Sequence, residues 1–141
     1  MAWVYELGGV AEGYRASALW VPFGTSQFNT IDIQEADMTA VASMATWRPR
    51  DGKVQEFVAS AAKAKKIHER LGATVRIWSS NFGGEPMTMG YVLEHKSWAA
   101  FGEFGEKMEK DNEWRDFWTS ASANPTADLV QNAVYSEVAV L

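Results

Sequence analysis

The chain has 141 residues, no cysteine and a formal net charge of −5. That length suits one domain and is short for two. Without cysteine there are no disulfides, thiolate metal sites or cysteine nucleophiles, and an acidic balance argues against a nucleic-acid partner, which would call for a clustered basic surface.

Apolar residues make up 47 % of the chain and charged residues 22 %, a composition that folds. No apolar run approaches the roughly 20 residues of a membrane span. The opening MAWVYELGGVAEGYR has no basic stretch followed by an apolar one, so no secretory signal is expected and the protein reads as cytoplasmic. Aromatic residues reach 13 %, with 7 Trp. In a small domain this much ring surface implies a large core, a subunit interface or a pocket.

Residues 1–37 read as an N-terminal extension, with short β-like runs at WVYEL and ASALWVPF. The core is expected over 38–139. MTAVASMATWRP is strand-like and ends at Pro49. RPRDG turns the chain into a helix from about Lys53 to Leu71, stopped by Gly72. TVRIWSS and MTMGYVLEH are strands joined through NFGGEP as a hairpin with a longer loop.

Ser97 can cap a second helix beginning at Trp98, whose apolar stripe is Trp98, Phe101, Phe104 and Met108. The phase breaks at KDN, so a bend is expected at 110–112, with Asp111 or Asn112 capping a shorter helix that ends near Ser122. After Asn124-Pro125, DLVQNAVYSEVAV is the last strand. The order β-α-β-β-α-β is the ferredoxin-like α+β arrangement: a four-stranded antiparallel sheet with both helices on one face.

Strand side chains alternate between faces. The aliphatic set, including Val75, Ile77, Val92, Val130 and Val134, is expected under the helices. The second set is Trp78, Met89, Tyr91, Leu93 and Tyr135, mixed with Arg76 and Gln131. It is too apolar to face water across a whole sheet. A second copy of the sheet would cover it, giving a homodimer through the sheet face. The alternative cover is the N-terminal segment, through Trp3, Tyr5, Trp20 and Phe23.

With ERLGATVRIW after the first helix, and GYVLEHKSWAAFGEFGEKM running into KDNEWRDFW, the chain resembles the dimeric α/β-barrel superfamily. It is most similar to its NIPSNAP-like and antibiotic-biosynthesis-monooxygenase-type members. The resemblance spans roughly residues 38–139 and implies a dimeric barrel. The superfamily includes cofactor-free oxygenases, isomerases, haem enzymes and proteins without known activity, and fold does not choose among them.

Two histidines stand out. His68 shares a helical stripe with Phe57, Ala61 and Ala64, which points it at the sheet. There it is either a general base or polar partner in a cleft, tuned by burial, or a core histidine with a satisfied hydrogen bond. His95 ends a strand, and its plain reading is a solvent-edge loop residue. Trp78, Tyr91 and Tyr135, with Phe57 and Trp114, could line a pocket for a flat apolar substrate, and Arg76 could hold a carboxylate or enolate oxygen. The bland alternative for these rings is packing. Lys63, Lys65, Lys66, Glu69 and Arg70 read as the solvated side of the first helix.

The expected function is therefore a small-molecule-binding protein or a cofactor-independent enzyme of oxygenase or isomerase type, with His68 and Arg76 as catalytic candidates. No cofactor and no metal are expected. The rivals are a non-catalytic structural or interaction protein and a haem-binding barrel with His68 or His95 as axial ligand.

Overall fold

The computed structural model describes residues 39–138, so the N-terminal extension, with its expected runs and aromatic cover, lies outside the described residues. Strand β1 (Val41–Pro49) leads through a turn with Gly52 at φ +72° into helix α1 (Val54–Arg70). Leu71 and Gly72 end that helix. Gly72 has φ +109°, a region that L side chains rarely adopt, so the expected glycine stop is what the chain uses. Strands β2 (Thr74–Ser79) and β3 (Met89–His95) follow, joined by a loop.

Helix α2 (Trp98–Lys110) begins at Ser97, whose hydroxyl accepts from the Ala100 amide at 3.1 Å. Helix α3 (Asn112–Ala123) begins one residue after α2 ends, and Asp111 caps it by accepting from the Trp114 amide at 2.7 Å. The expected bend is thus a clean break between two helices. Strand β4 (Ala127–Ser136) closes the fold.

The sheet order is β2-β3-β1-β4, antiparallel throughout. Among the described residues this is an α+β domain with a four-stranded sheet and three helices. The core lies between the sheet and the helices, where Ala61, Ala64 and Ile67 of α1 meet Val75, Tyr91 and Leu93 of the sheet and Phe104, Met108 and Trp114 of α2 and α3.

The register corrects the expected division of the faces. Val75 pairs with Leu93 and Ile77 with Tyr91. Directly opposed residues share a face, so Tyr91 and Leu93 stand on the helix side with buried Val75. Val92, expected under the helices, pairs with Arg76 on the other side. The reason is local. In GYVLEH Tyr91, Val92 and Leu93 are apolar on both faces and each face ends in one polar residue, so alternation alone gives little contrast from which to choose. A bulge makes a second change. Thr46 pairs with Gln131 and Trp47 with Leu129, leaving Val130 as the extra residue. Beyond it Leu129, opposite Trp47, and Ala127, opposite Pro49, lie on the helix side.

Candidate functional site

The helical spacing of Phe57, Ala61, Ala64 and His68 places all four on the buried side of α1. His68 is 3 % exposed. It lies over β3, where its Nδ1 is 2.8 Å from the Tyr91 hydroxyl. Three rings enclose the imidazole: Trp114 at 4.4 Å between centroids, Phe104 at 5.6 Å and the Tyr91 ring itself at 5.7 Å. The His68 Nε2 is buried and has no hydrogen-bond partner among the described residues.

Burial, and then the proximity of His95, push the His68 pKa down to about 4. Burial, and then the charge of Glu69, push the Tyr91 phenol up. Both groups are therefore neutral at pH 7. The tautomer follows from counting polar atoms. If Tyr91 O–H donates to Nδ1, one polar group is left over, the Nε2–H. If Nδ1–H donated instead, both Nε2 and the phenolic hydrogen would be left over. Tyr91 is therefore the donor.

His95 is also buried, at 5 % exposed, and is not the solvent-edge residue expected. Strand β3 runs through it, and Phe101 and Phe104 of α2 close over its ring at 5.3 and 4.8 Å. Burial lowers its pKa. Its Nε2 is likewise buried without a partner among the described residues.

Beside the His68–Tyr91 pair a cleft of about 350 Å³ opens between α1, α3 and the β1–β4 end of the sheet. Trp47 and Phe57 form one wall, their rings tilted at 46° and 6.2 Å apart. Trp114 forms another, stacked with Phe117 at 5.5 Å and Trp118 at 5.8 Å. Ala61, Ala64, Ala121, Pro125, Ala127 and Leu129 fill in the surface, with Ser60, Ser122 and Thr126 as neutral polar points. The volume falls in the lower part of the roughly 300–1,000 Å³ range of small-molecule sites, and the lining has their mixture of many apolar and few polar groups.

The structure thus brings Phe57, His68, Tyr91 and Trp114 to one cleft. Arg76, Trp78 and Tyr135 are elsewhere. They occupy the outer sheet face, where Arg76 donates to Glu94 at 3.0 Å and Trp78 and Tyr135 are 57 % and 51 % exposed. Trp47 and Leu129 were not among the expected lining residues. Trp47 could have been found from its two-residue spacing to Ala45 and Ser43, whereas Leu129 depends on the bulge.

Among the described residues, no group of three His, Cys, Asp or Glu side chains comes together as a metal site. Neither imidazole offers an open coordination position for haem iron. The His68 Nδ1 is engaged by Tyr91, and Nε2 of both histidines is sealed in ring packing. The residues present do not fit a haem axial site. No helix among the described residues is long and apolar enough to cross a membrane.

Comparison with known proteins adds the fold's relatives. A NIPSNAP family protein of unknown function from Agrobacterium tumefaciens superposes with a TM-score of 0.57 at 15 % identity, over 71 % of this chain and 89 % of that one. An uncharacterised NIPSNAP domain protein from Burkholderia xenovorans gives 0.56 at 19 % identity, over 71 % and 94 %. This chain has the NIPSNAP fold. A Bacteroides thetaiotaomicron protein of unknown function, described as a possible oxidoreductase, gives 0.53 at 7 % identity, over 71 % and 99 %. No protein-family model matches the sequence, and no curated protein matches it significantly.

Proposed function

We propose that the chain binds a small apolar molecule in the cleft between its helices and its sheet. The observation that carries this reading is an aromatic-walled cleft of about 350 Å³ with a buried, hydrogen-bonded His68–Tyr91 pair in its lining. The rings supply contact area, and the hydroxyls of Ser60, Ser122 and Thr126 supply polarity that can fix a ligand's orientation.

Cofactor-independent proton transfer, whether in an oxygenase or an isomerase, would ask more of His68. An imidazole held near 4 is neutral at pH 7, as a base must be, but it accepts a proton weakly. Binding is therefore the function the geometry supports best.

The protomer is proposed to pair with a second copy through the outer sheet face. Trp78 and Tyr135 are largely exposed there, and the same face carries both Arg76 and Glu94. In a two-fold interface a patch meets itself, so each charge can face its opposite across the axis. A cytoplasmic location fits a chain without cysteine.

Two measurements test the reading. Native mass spectrometry of the purified protein is expected to give a dimer, and a monomer overturns the pairing. An NMR titration with indole is expected to shift resonances of Phe57, His68, Tyr91 and Trp114. Shifts should vanish in Ala121→Trp, which fills the cleft from its α3 side. An indole titration that leaves these resonances unmoved overturns the binding site.

A further inference from the structure

The cleft is apolar, and its lining among the described residues also lacks a counter-charge. Among the described residues, none that lines it is an Asp, Glu, Lys or Arg. Its polar points are hydroxyls, beside a neutral imidazole already bonded to Tyr91. Several charged side chains of the surrounding elements are paired elsewhere. Arg70 donates to Asp111 at 2.7 Å and to Glu113 at 2.9 Å, tying the end of α1 to the α2–α3 junction. Lys65 donates to the Val75 carbonyl at 2.8 Å. Arg50 forks onto Asp128 at the start of β4, its shortest bond 2.7 Å. Arg76, which could have held a carboxylate, is paired with Glu94 across the sheet from the cleft.

We propose that the cleft selects uncharged ring compounds and discriminates against anionic or cationic molecules of the same shape. This rests on the binding reading above. The reason is desolvation without compensation. An ion entering an apolar site must shed water, and only a paired charge or several hydrogen bonds offsets that loss. The three hydroxyls of Ser60, Ser122 and Thr126 cannot replace a counter-ion. The same environment already disfavours charge on His68. An uncharged ligand carrying one polar group meets no such penalty, because one of the lining hydroxyls can satisfy it.

The test uses pairs of probes alike in shape and different in charge, titrated calorimetrically into the full chain at pH 7.5. The first pair is 2-naphthamide and 2-naphthoate. The second is 2-naphthylmethanol and 2-naphthylmethylammonium. The amide and the alcohol are expected to bind at least tenfold more tightly than the charged partner of each, and binding of both is expected to disappear in Ala121→Trp. Equal affinities within the pairs overturn charge selection while leaving the binding reading intact. A charged probe that binds more tightly than its neutral partner overturns it and reveals a counter-ion. Failure of all four probes overturns the binding reading and this inference together. Unchanged binding in a folded Ala121→Trp overturns both for this cleft, because the probes then bind elsewhere.

Discussion

The Tyr91 hydroxyl donates to Nδ1 of His68 across 2.8 Å, joining the centre of β3 to the last turn of α1 inside the core. Both partners are buried, so each depends on the other. Removing one leaves the second dry and unpaired, which costs about 1–3 kcal/mol, whereas removing both is far milder. Tyr91→Phe and His68→Leu are each expected to lower stability by roughly that amount in urea unfolding. The double variant is expected to lose clearly less than the sum. Additive losses would show that the bond contributes nothing of its own.

The same burial predicts how stability responds to acid. The folded pKa of His68, about 4, lies below its ordinary 6.5. Between those values the unfolded chain binds more protons at this site than the folded one, so stability rises with pH through the window. The contribution is complete above pH 6.5 and is lost as pH falls to about 4, a change of roughly 3 kcal/mol. His95, also lowered by burial, acts in the same direction. Asp111 and Asp128 are held below their ordinary 3.8, chiefly by the Trp114 amide and by Arg50 respectively, so their contributions are lost in a more acidic window. Melting temperature measured from pH 7.5 to 4.5 is expected to hold level down to about pH 6.5 and then fall, and His68→Gln is expected to flatten that fall. An unchanged slope in that variant would assign the acid response to other groups.

Ser97 offers a separate check on local structure. It is buried, and its hydroxyl satisfies the Ala100 amide in the first turn of α2. Ser97→Ala is expected to cost about 1 kcal/mol, with Ser97→Asp retaining most of the cap. Equal losses in the two variants would point to packing of the serine and not to capping.

Much of this architecture is legible from residues with a single physical role. Gly72 ends α1 because the chain there has positive φ, Ser97 caps α2, and the break in apolar phase at 110–112 becomes the Asp111 cap of α3. Helical periodicity likewise turns His68 toward the sheet. What stayed hidden depends on partners distant in sequence. The face occupied by Tyr91 is decided by its pairing with Ile77, because its own strand is apolar on both sides. The place of Leu129 depends on a bulge that no turn residue announces. The burial of His95 depends on how closely α2 lays Phe101 and Phe104 over the end of β3. For the site, the spacing on α1 was enough to group Phe57 with His68, but not to separate Tyr91 from Trp78.

Trp78 provides the sharpest test of the proposed pairing of protomers. Its neighbour across the sheet is Gly90, and Arg76 lies two residues away on the same outer face. In the isolated protomer Trp78 is 57 % exposed, so its replacement removes little buried area. Exposed substitutions of this kind usually change stability within about ±0.5 kcal/mol. In a sheet-to-sheet dimer the same ring is covered, and a carboxylate in its place is buried at an apolar interface at a large desolvation cost. Trp78→Glu is therefore expected to yield a folded protein with helix content unchanged and half the mass of the parent by light scattering. Its melting temperature should no longer depend on protein concentration, since dissociation is then no longer linked to unfolding. Tyr135→Glu, at the opposite edge of the face, is expected to behave the same way. A parent that is monomeric at micromolar concentration would overturn the pairing, and a Trp78→Glu protein that keeps a dimeric parent's mass would place the subunit contact elsewhere.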